Sequence, residues 1–385
     1  MEENKKELRA AHIITAAVFV IFILGFSLAL LIQKDRAFSD MENRTLAQKP
    51  EISWKNIKEG KFTDDLEKYI SDQLFAKDAL VSVKTDTDRL LGKSYQNGVY
   101  ILHDSDGKLR FVQRYTENRA QIAENVSYLN DFAAGLDIPV DLMLIPNASA
   151  YMLDRLPAGA LCDDQRKSLD YVGELVGDKI NYYPILLDDA DFKESYYFRT
   201  DHHWSFEGAQ RAVSDYLKRS GQLPEDSQPA LGLIYKEAEE GFLGTLYSKA
   251  PSAFTEPDVF GYFANCGEME VEWVNEGKKT DCIIDEEFLT KKDKYAAYFG
   301  GNFSQIRIKT GHGGERVLVL KDSYANAAMQ FLVGQYSEIT MIDLRYYHMQ
   351  EKTVSELCEE YGVDRVIMLY NMDFLNEDRN FVWLE

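Results

Sequence analysis

Five short stretches constrain the fold of this chain more than any other feature: VDLMLIP (140–146), NYYPILL (181–187), RVLVLKD (316–322), ITMIDL (339–344) and RVIMLY (365–370). Each is apolar with few alternating polar positions, which suits a strand buried on both faces of a parallel sheet. Helical patterns separate several of them, at 163–177, 206–219, 324–333 and 352–361. The alternation predicts an α/β layer sandwich. Between about 230 and 312 the pattern changes to VFGYFANCGEMEVEWV, KYAAYFGGN and SQIRIKT, which reads as a β-rich insertion or subdomain. With 385 residues, 45% of them hydrophobic and 12% aromatic, the chain can fill such a core.

Upstream of the sheet, residues 33–60 read as an extended polar linker, with Pro50 discouraging helix at Lys49. A broken helical period runs from Phe62 to Leu91. Alternation around Asn97-Gly98 and Asp106-Gly107 predicts a hairpin pair, and a helix is expected over 117–135. Residues 61–385 are therefore expected to form the globular domain.

At the amino terminus, Ala10 to Ile32 reads AAHIITAAVFVIFILGFSLALLI. At a rise of about 1.5 Å per residue this run can cross a hydrocarbon core of about 30 Å. A cleaved signal peptide would have a shorter apolar region and a small-x-small site, and QKDRAFSDMENRT offers no convincing one. The expectation is a bilayer anchor through residues 10–32. Residues 1–9 would be cytoplasmic and residues 33–385 extracytoplasmic. Lys5, Lys6 and Arg9 before the span are balanced by Lys34 and Arg36 after it, so the orientation rests on the short tail rather than on charge.

The net charge is -21, from 43 Lys plus Arg against 64 Asp plus Glu, and the excess lies beyond the span. Such a surface repels phosphate backbones, so no nucleic-acid partner is expected. Cys162, Cys266, Cys282 and Cys358 form no CxxC pair. Cys266 and Cys282 could pair in an oxidising compartment, and four isolated thiols fit equally well.

Two places carry candidate chemistry. In Thr200-Asp201-His202-His203-Trp204, Asp201 and His203 are two residues apart. In an extended or loop backbone both side chains lie on one side, with His202 pointing away. A carboxylate beside an imidazole fixes its tautomer and supports it as a general base. The second place is Ser323, which follows the strand-forming RVLVLKD and precedes a helix. Ligand sites of open α/β sheets lie at that strand end, and a helix start offers free N–H groups to an oxyanion. Asn371 after RVIMLY and Asn147 after LMLIP compete as further oxyanion donors. Arg345 in DLRYYH could meet a polar or anionic substrate. Asp201, His202 and His203 are all metal-ligand types. No HxH or HExxH spacing accompanies them, and no metal or other cofactor is expected.

TDHHW with LKDSYANA downstream resembles the DHHW family and its relatives in the alginate O-acetyltransferase group of SGNH-like proteins. ENRTLAQKP, QNGVYIL and KYAAYFGGN extend the resemblance over most of the chain. It implies Asp201 as orienting acid, His203 as base and Ser323 as nucleophile. It also implies an SGNH-like three-layer sandwich with a mostly parallel sheet. Because the serine comes last, the sheet would be circularly permuted. Lys321 stands where the related GDS pattern has glycine. The implied activity is serine-dependent O-acyl transfer or ester hydrolysis on a polysaccharide, with a multipass membrane acyltransferase as donor partner. An acidic ectodomain favours a neutral or cationic glycan. The reading from another class is a non-catalytic glycan-binding or assembly protein that keeps the fold.

Overall fold

A computed structural model describes residues 2–39, 41–42, 44–187, 191–229, 233–265, 267–348 and 352–384, with side chains from Leu8 onward. Within it, Val140–Ile145 (β1), Ile180–Pro184 (β2), Met269–Trp273 (β3), Lys278–Thr280 (β4), Gln305–Thr310 (β5), Arg316–Lys321 (β6), Glu338–Ile342 (β7) and Arg365–Asn371 (β8) form one eight-stranded sheet. Their spatial order is β4-β3-β5-β7-β6-β8-β1-β2. The run from β7 through β6, β8 and β1 to β2 is parallel. The pairings β4/β3, β3/β5 and β5/β7 are antiparallel, so the sheet is mixed.

The apolar runs are explained by what covers each face. Val317, Val319, Ile339, Met341, Ile367 and Leu369 pack with residues of helices Phe206–Arg219 and Tyr324–Leu332. Their neighbours Leu318, Leu320, Ile342, Val366 and Met368 pack on the other side with helices Arg119–Ala134, Gln165–Leu175 and Val354–Tyr361. Successive side chains of a strand point to opposite faces, so two covered faces require continuous hydrophobicity. Each large apolar side chain buried there contributes about 1.5–3 kcal/mol. The helices begin where short polar side chains cap them. Ser205 accepts from the Gly208 N–H at 3.2 Å, and Thr353 and Glu356 form a reciprocal capping box.

Residues 230–312 differ from expectation. Rather than a separate insertion, they supply β3, β4 and β5, which extend the main sheet antiparallel. Val271, Trp273, Ile306 and Ile308 are buried while the intervening residues are more open. A change of pattern there marks a change of strand direction and coverage, not a new core.

The chain divides into two units, residues 1–93 with 251–253 and residues 94–250 with 254–385. In the first, the stretch expected to be an extended linker is structured. It holds the strand pair Phe38–Ser39 and Arg44–Thr45 and the helix Trp54–Lys58. Arg44 forks onto the Asp72 carboxylate at 2.9 and 2.5 Å, and the Ala47 N–H donates to Asp72 at 2.9 Å. These polar residues serve partners remote in sequence, which local composition does not reveal. The broken helix of 62–91 is two helices, Lys61–Asp72 and Lys77–Leu90, separated where Ala76 takes a left-handed φ of 53°. Among the described residues one helix, Leu8–Ile32, is long and apolar enough to cross a membrane.

In the second unit the expected hairpins appear as strands Tyr95–Gln96, Val99–His103 and Leu109–Gln113. Asn97 and Gly98 take φ of 49° and 81°, as a tight two-residue hairpin turn requires. Cys162 and Cys358 are free thiols and Cys282 is disulfide-bonded, while Cys266 lies outside the described residues.

Candidate functional site

The carboxyl end of β6 delivers Asp322 and Ser323 to the start of helix Tyr324–Leu332. Asp322 braces the turn, accepting from the Tyr324 N–H at 2.8 Å and the Asn371 N–H at 2.6 Å. Burial raises its pKa, and these two donors oppose the rise. Ser323 occupies the position before the helix, but its side chain makes no capping bond there. The hydroxyl is turned instead towards the loop that carries the two histidines.

That loop is closed by a bridge between Tyr197 and Trp204. Buried Asp258 holds Thr200 through its N–H at 2.8 Å and its hydroxyl at 2.6 Å. The Trp204 indole donates to the Tyr324 carbonyl at 3.0 Å, fixing the loop over the helix start. Within it, Asp201 Oδ1 lies 2.6 Å from His203 Nδ1, and His203 Nε2 lies 2.8 Å from Ser323 Oγ. The serine and histidine are 120 residues apart in sequence. Only the tautomer with hydrogen on Nδ1 lets an ionised Asp201 accept, which leaves Nε2 free to accept from the serine hydroxyl.

Several groups hold this line of three. Asp201 also accepts from the Thr245 N–H at 2.7 Å and the Thr245 hydroxyl at 2.9 Å. Burial by itself would raise the Asp201 pKa. The neighbouring imidazoles of His202 and His203 and the bonds from His203 and Thr245 outweigh it and hold the carboxyl far below the usual range. The His203 ring lies parallel to Tyr295, with centroids 3.6 Å apart and planes 7° apart. The Tyr295 hydroxyl donates to the Ser323 carbonyl at 3.1 Å. Sequence reading assigned no role to Thr245 or Tyr295. Tyr295 lies inside KYAAYFGGN, a stretch that carried part of the family resemblance, whereas Thr245 follows an ordinary-looking Gly244.

The site opens into a cleft of about 380 Å³ whose walls include His202, Ser323, Arg345, Asn371, Asp373 and Phe374. Asn371 caps the helix Met372–Glu377 through its Oδ1, which accepts from the Asp373 N–H at 2.9 Å. Its amide donates one hydrogen to the Ile145 carbonyl at 3.0 Å, leaving the second uncommitted to that bond. Asn147 directs its amide to Asp373 Oδ2 at 2.6 Å. Arg345 forks onto Asp343 at 2.8 and 2.5 Å and lies 5.3 Å over the Phe374 ring. Buried Asp343 also sits 3.5 Å from Lys321 Nζ, and Lys321 is fully buried with Asn302 and Asn326 accepting at 3.0 and 2.8 Å.

His202 does not point away as expected. Residues 199–203 bend rather than extend, and the two histidine rings come within 3.8 Å centroid to centroid. His202 Nδ1 meets the Thr245 hydroxyl at 2.7 Å, which in turn donates to Asp201. Asp201, His202 and His203 each offer one ligand atom within 4.8 Å of the others. An ion there would compete with Ser323, Thr245 and the Asp201–His203 bond for the same lone pairs, so hydrogen bonding accounts for the cluster.

A family model described as DHHW protein matches residues 82–342. No curated protein matches the sequence. Among solved structures, a DHHW family protein from Eubacterium siraeum is similar with a TM-score of 0.61 and 23% identity, covering 75% of this chain and 95% of that one. Bacillus cereus PatB1 is similar with a TM-score of 0.60 and 21% identity, covering 74% and 99%. PatB1 with a sulfonyl adduct gives 0.59 and 21%, covering 74% and 100%.

Proposed function

The chain belongs to the DHHW protein family, and from that premise we propose that it is a serine-dependent O-acyl transferase or esterase, O-acetyl being the simplest group. It would be anchored in a membrane by Ala10–Ile32 with its main domain outside, acting on an exported or cell-surface polysaccharide. The observation that carries the proposal is His203, bonded to Asp201 on one nitrogen and within 2.8 Å of Ser323 Oγ on the other. The acid and base precede the serine in sequence, which fits a circularly permuted SGNH sheet.

In this reading Ser323 Oγ attacks an acyl carbonyl while His203 Nε2 takes its proton. Asp201 holds the imidazole and stabilises the imidazolium. The tetrahedral oxyanion is met by the Ser323 N–H and by the second hydrogen of the Asn371 amide. Collapse expels the leaving alcohol, which receives the proton from His203. A sugar hydroxyl or water then attacks the acyl-serine with His203 again as base. Arg345, its charge partly offset by Asp343, orients a polar substituent. Glu377 and Asp378 at the cleft wall favour a neutral or cationic acceptor. The family resemblance points to a multipass membrane acyltransferase as donor. PatB1 has been captured with a sulfonyl adduct, and sulfonyl fluorides react with activated serine hydroxyls.

The test is sulfonyl fluoride labelling of the purified chain alongside turnover of an activated acetyl ester. The expected outcome is one adduct on the peptide containing Ser323, lost in Ser323→Ala, and ester turnover lost in both Ser323→Ala and His203→Ala. A folded wild-type chain that neither labels nor turns over the ester would replace this reading with the non-catalytic glycan-binding one.

A further inference from the structure

The corner between helices Lys61–Asp72 and Lys77–Leu90 reaches back along the amino-terminal apolar helix. Phe75 packs edge-on against Phe26 with centroids 6.3 Å apart. At the helix end, the Gln33 side chain donates to the Gln73 carbonyl, and Gln73 Oε1 accepts from the Arg36 N–H at 2.9 Å. Tyr69 donates to Asp35 at 2.7 Å, and Arg36 pairs with Asp78 at 3.0 Å. The coverage has helical spacing. From Leu8 to Gln33 the partly covered positions are Phe26, Ala29, Leu30 and Gln33, and the other residues are exposed. Those four lie on one helix face. The corner therefore runs along the last two turns of the apolar helix rather than stopping at its end.

Depth follows from that register. Phe26 is about 9 Å along the axis from Ile32 at about 1.5 Å per residue. The apolar helix of 25 residues is about 37 Å long, some 7 Å more than a typical hydrocarbon core. If the entire excess projects outward, Phe26 still lies about 2 Å inside the core; with none projecting it lies about 9 Å inside. Both place Phe26 at or below the level at which apolar faces of interfacial helices settle, and Phe75 packs against it. Phe75 is 51% exposed, although an exposed phenylalanine gains nothing from water. Gln73, Arg36 and Asp78 form the polar layer above it.

We infer that residues 74–76 are a second membrane contact, a wedge that seats Phe75 in the bilayer beside the anchor. It fixes the first unit on the membrane surface instead of leaving it to swing on a single helix. This inference rests on the reading of Ala10–Ile32 as a membrane span. The test uses the full chain in vesicles of phosphatidylcholine and phosphatidylglycerol, with and without acyl-chain-brominated lipid. Phe22→Trp reports the anchor, Phe75→Trp the wedge, and Leu90→Trp a surface position that is 88% exposed. The emission added over wild type should be quenched and blue-shifted for Phe22→Trp and Phe75→Trp, and unquenched for Leu90→Trp. If Phe75→Trp does not fold, Leu74→Trp in the same corner gives the same readout. Quenching at position 22 without quenching at 75 or 74 overturns the wedge and leaves the anchor standing. No quenching at position 22 overturns both. Corner emission that is blue-shifted yet unquenched assigns the corner to a protein partner, such as a second copy, and also overturns the wedge.

Discussion

Gly244→Ala tests the Asp201–His203–Ser323 line without altering any of its functional groups. A Cβ at Gly244 would lie 2.3 Å from both Cβ and Oδ2 of Asp201. Ordinary carbon contacts are about 3.5–4.0 Å, so something must shift by about 1 Å. Gly244 has φ -84°, which alanine adopts freely, so the effect is steric and not conformational. Asp201 has little room to give: Oδ1 is held by the His203 ring and N–H at 2.6 and 3.0 Å, and Oδ2 by Thr245 at 2.7 and 2.9 Å. Overpacking of this kind costs about 1–3 kcal/mol of stability. A displacement of about 1 Å in a positioning group costs about 10²-fold in rate. The expected outcome is a folded protein whose Tm falls by a few degrees and whose kcat/KM for an activated acetyl ester falls about 10²-fold. Gly313→Ala, whose Cβ would meet nothing within 4 Å, is the matched control and should behave as wild type. If Gly244→Ala loses stability but keeps wild-type turnover, Asp201 does not align the base and the proposed chemistry loses its acid.

The two histidines should separate cleanly. His203→Ala removes the base and abolishes ester turnover, whereas His202→Ala loses one bond to Thr245 and should cost only a few-fold; equal and complete loss from both would refute this division. Burial raises the Asp373 carboxyl from 3.8 to about 7. The folded state then holds that proton more tightly than the unfolded state, so stability falls as pH rises from about 4 to about 7. Asp373→Asn should flatten that part of a Tm-versus-pH curve, and an unchanged slope would count against it. Lys321→Ala leaves buried Asp343 without one of its two cations and strands Asn302 and Asn326. Chemical denaturation should show a loss of about 3–5 kcal/mol, and a loss below about 1 kcal/mol would mean that water replaces the ammonium.

The central strands were legible because burial on both faces leaves a signature in consecutive residues. RVLVLK reads as a strand because Val317 and Val319 serve one core and Leu318 and Leu320 the other. Asp201, His203 and Ser323 were legible through a short motif and a strand-to-helix junction, and the geometry brings all three together. What stayed hidden depends on contacts remote in sequence. Arg44 and Gln73 look like ordinary surface residues until Asp72 and Arg36 are folded against them. Thr245 precedes β3 and Tyr295 lies between β4 and β5, each far along the chain from the Asp201–His203 motif it supports. Extended geometry would point His202 away, but the loop closed by the Tyr197–Trp204 bridge bends and brings it beside His203.

The order of strands has a temporal meaning. β6, whose carboxyl end leads into Ser323, is flanked by β7 and β8, and both follow it in the chain. β1 waits for β8 as its partner on the β6 side. Asp201, His203 and Ser323 are therefore all synthesised before the sheet that brings them together can close. Until residues 365–371 arrive, β6 lacks one neighbour and Asp322 lacks the Asn371 N–H that braces the serine turn. The turn that holds Ser323 is completed by the last strand added, so under the proposed mechanism the chain gains its chemistry only once that strand has joined the sheet.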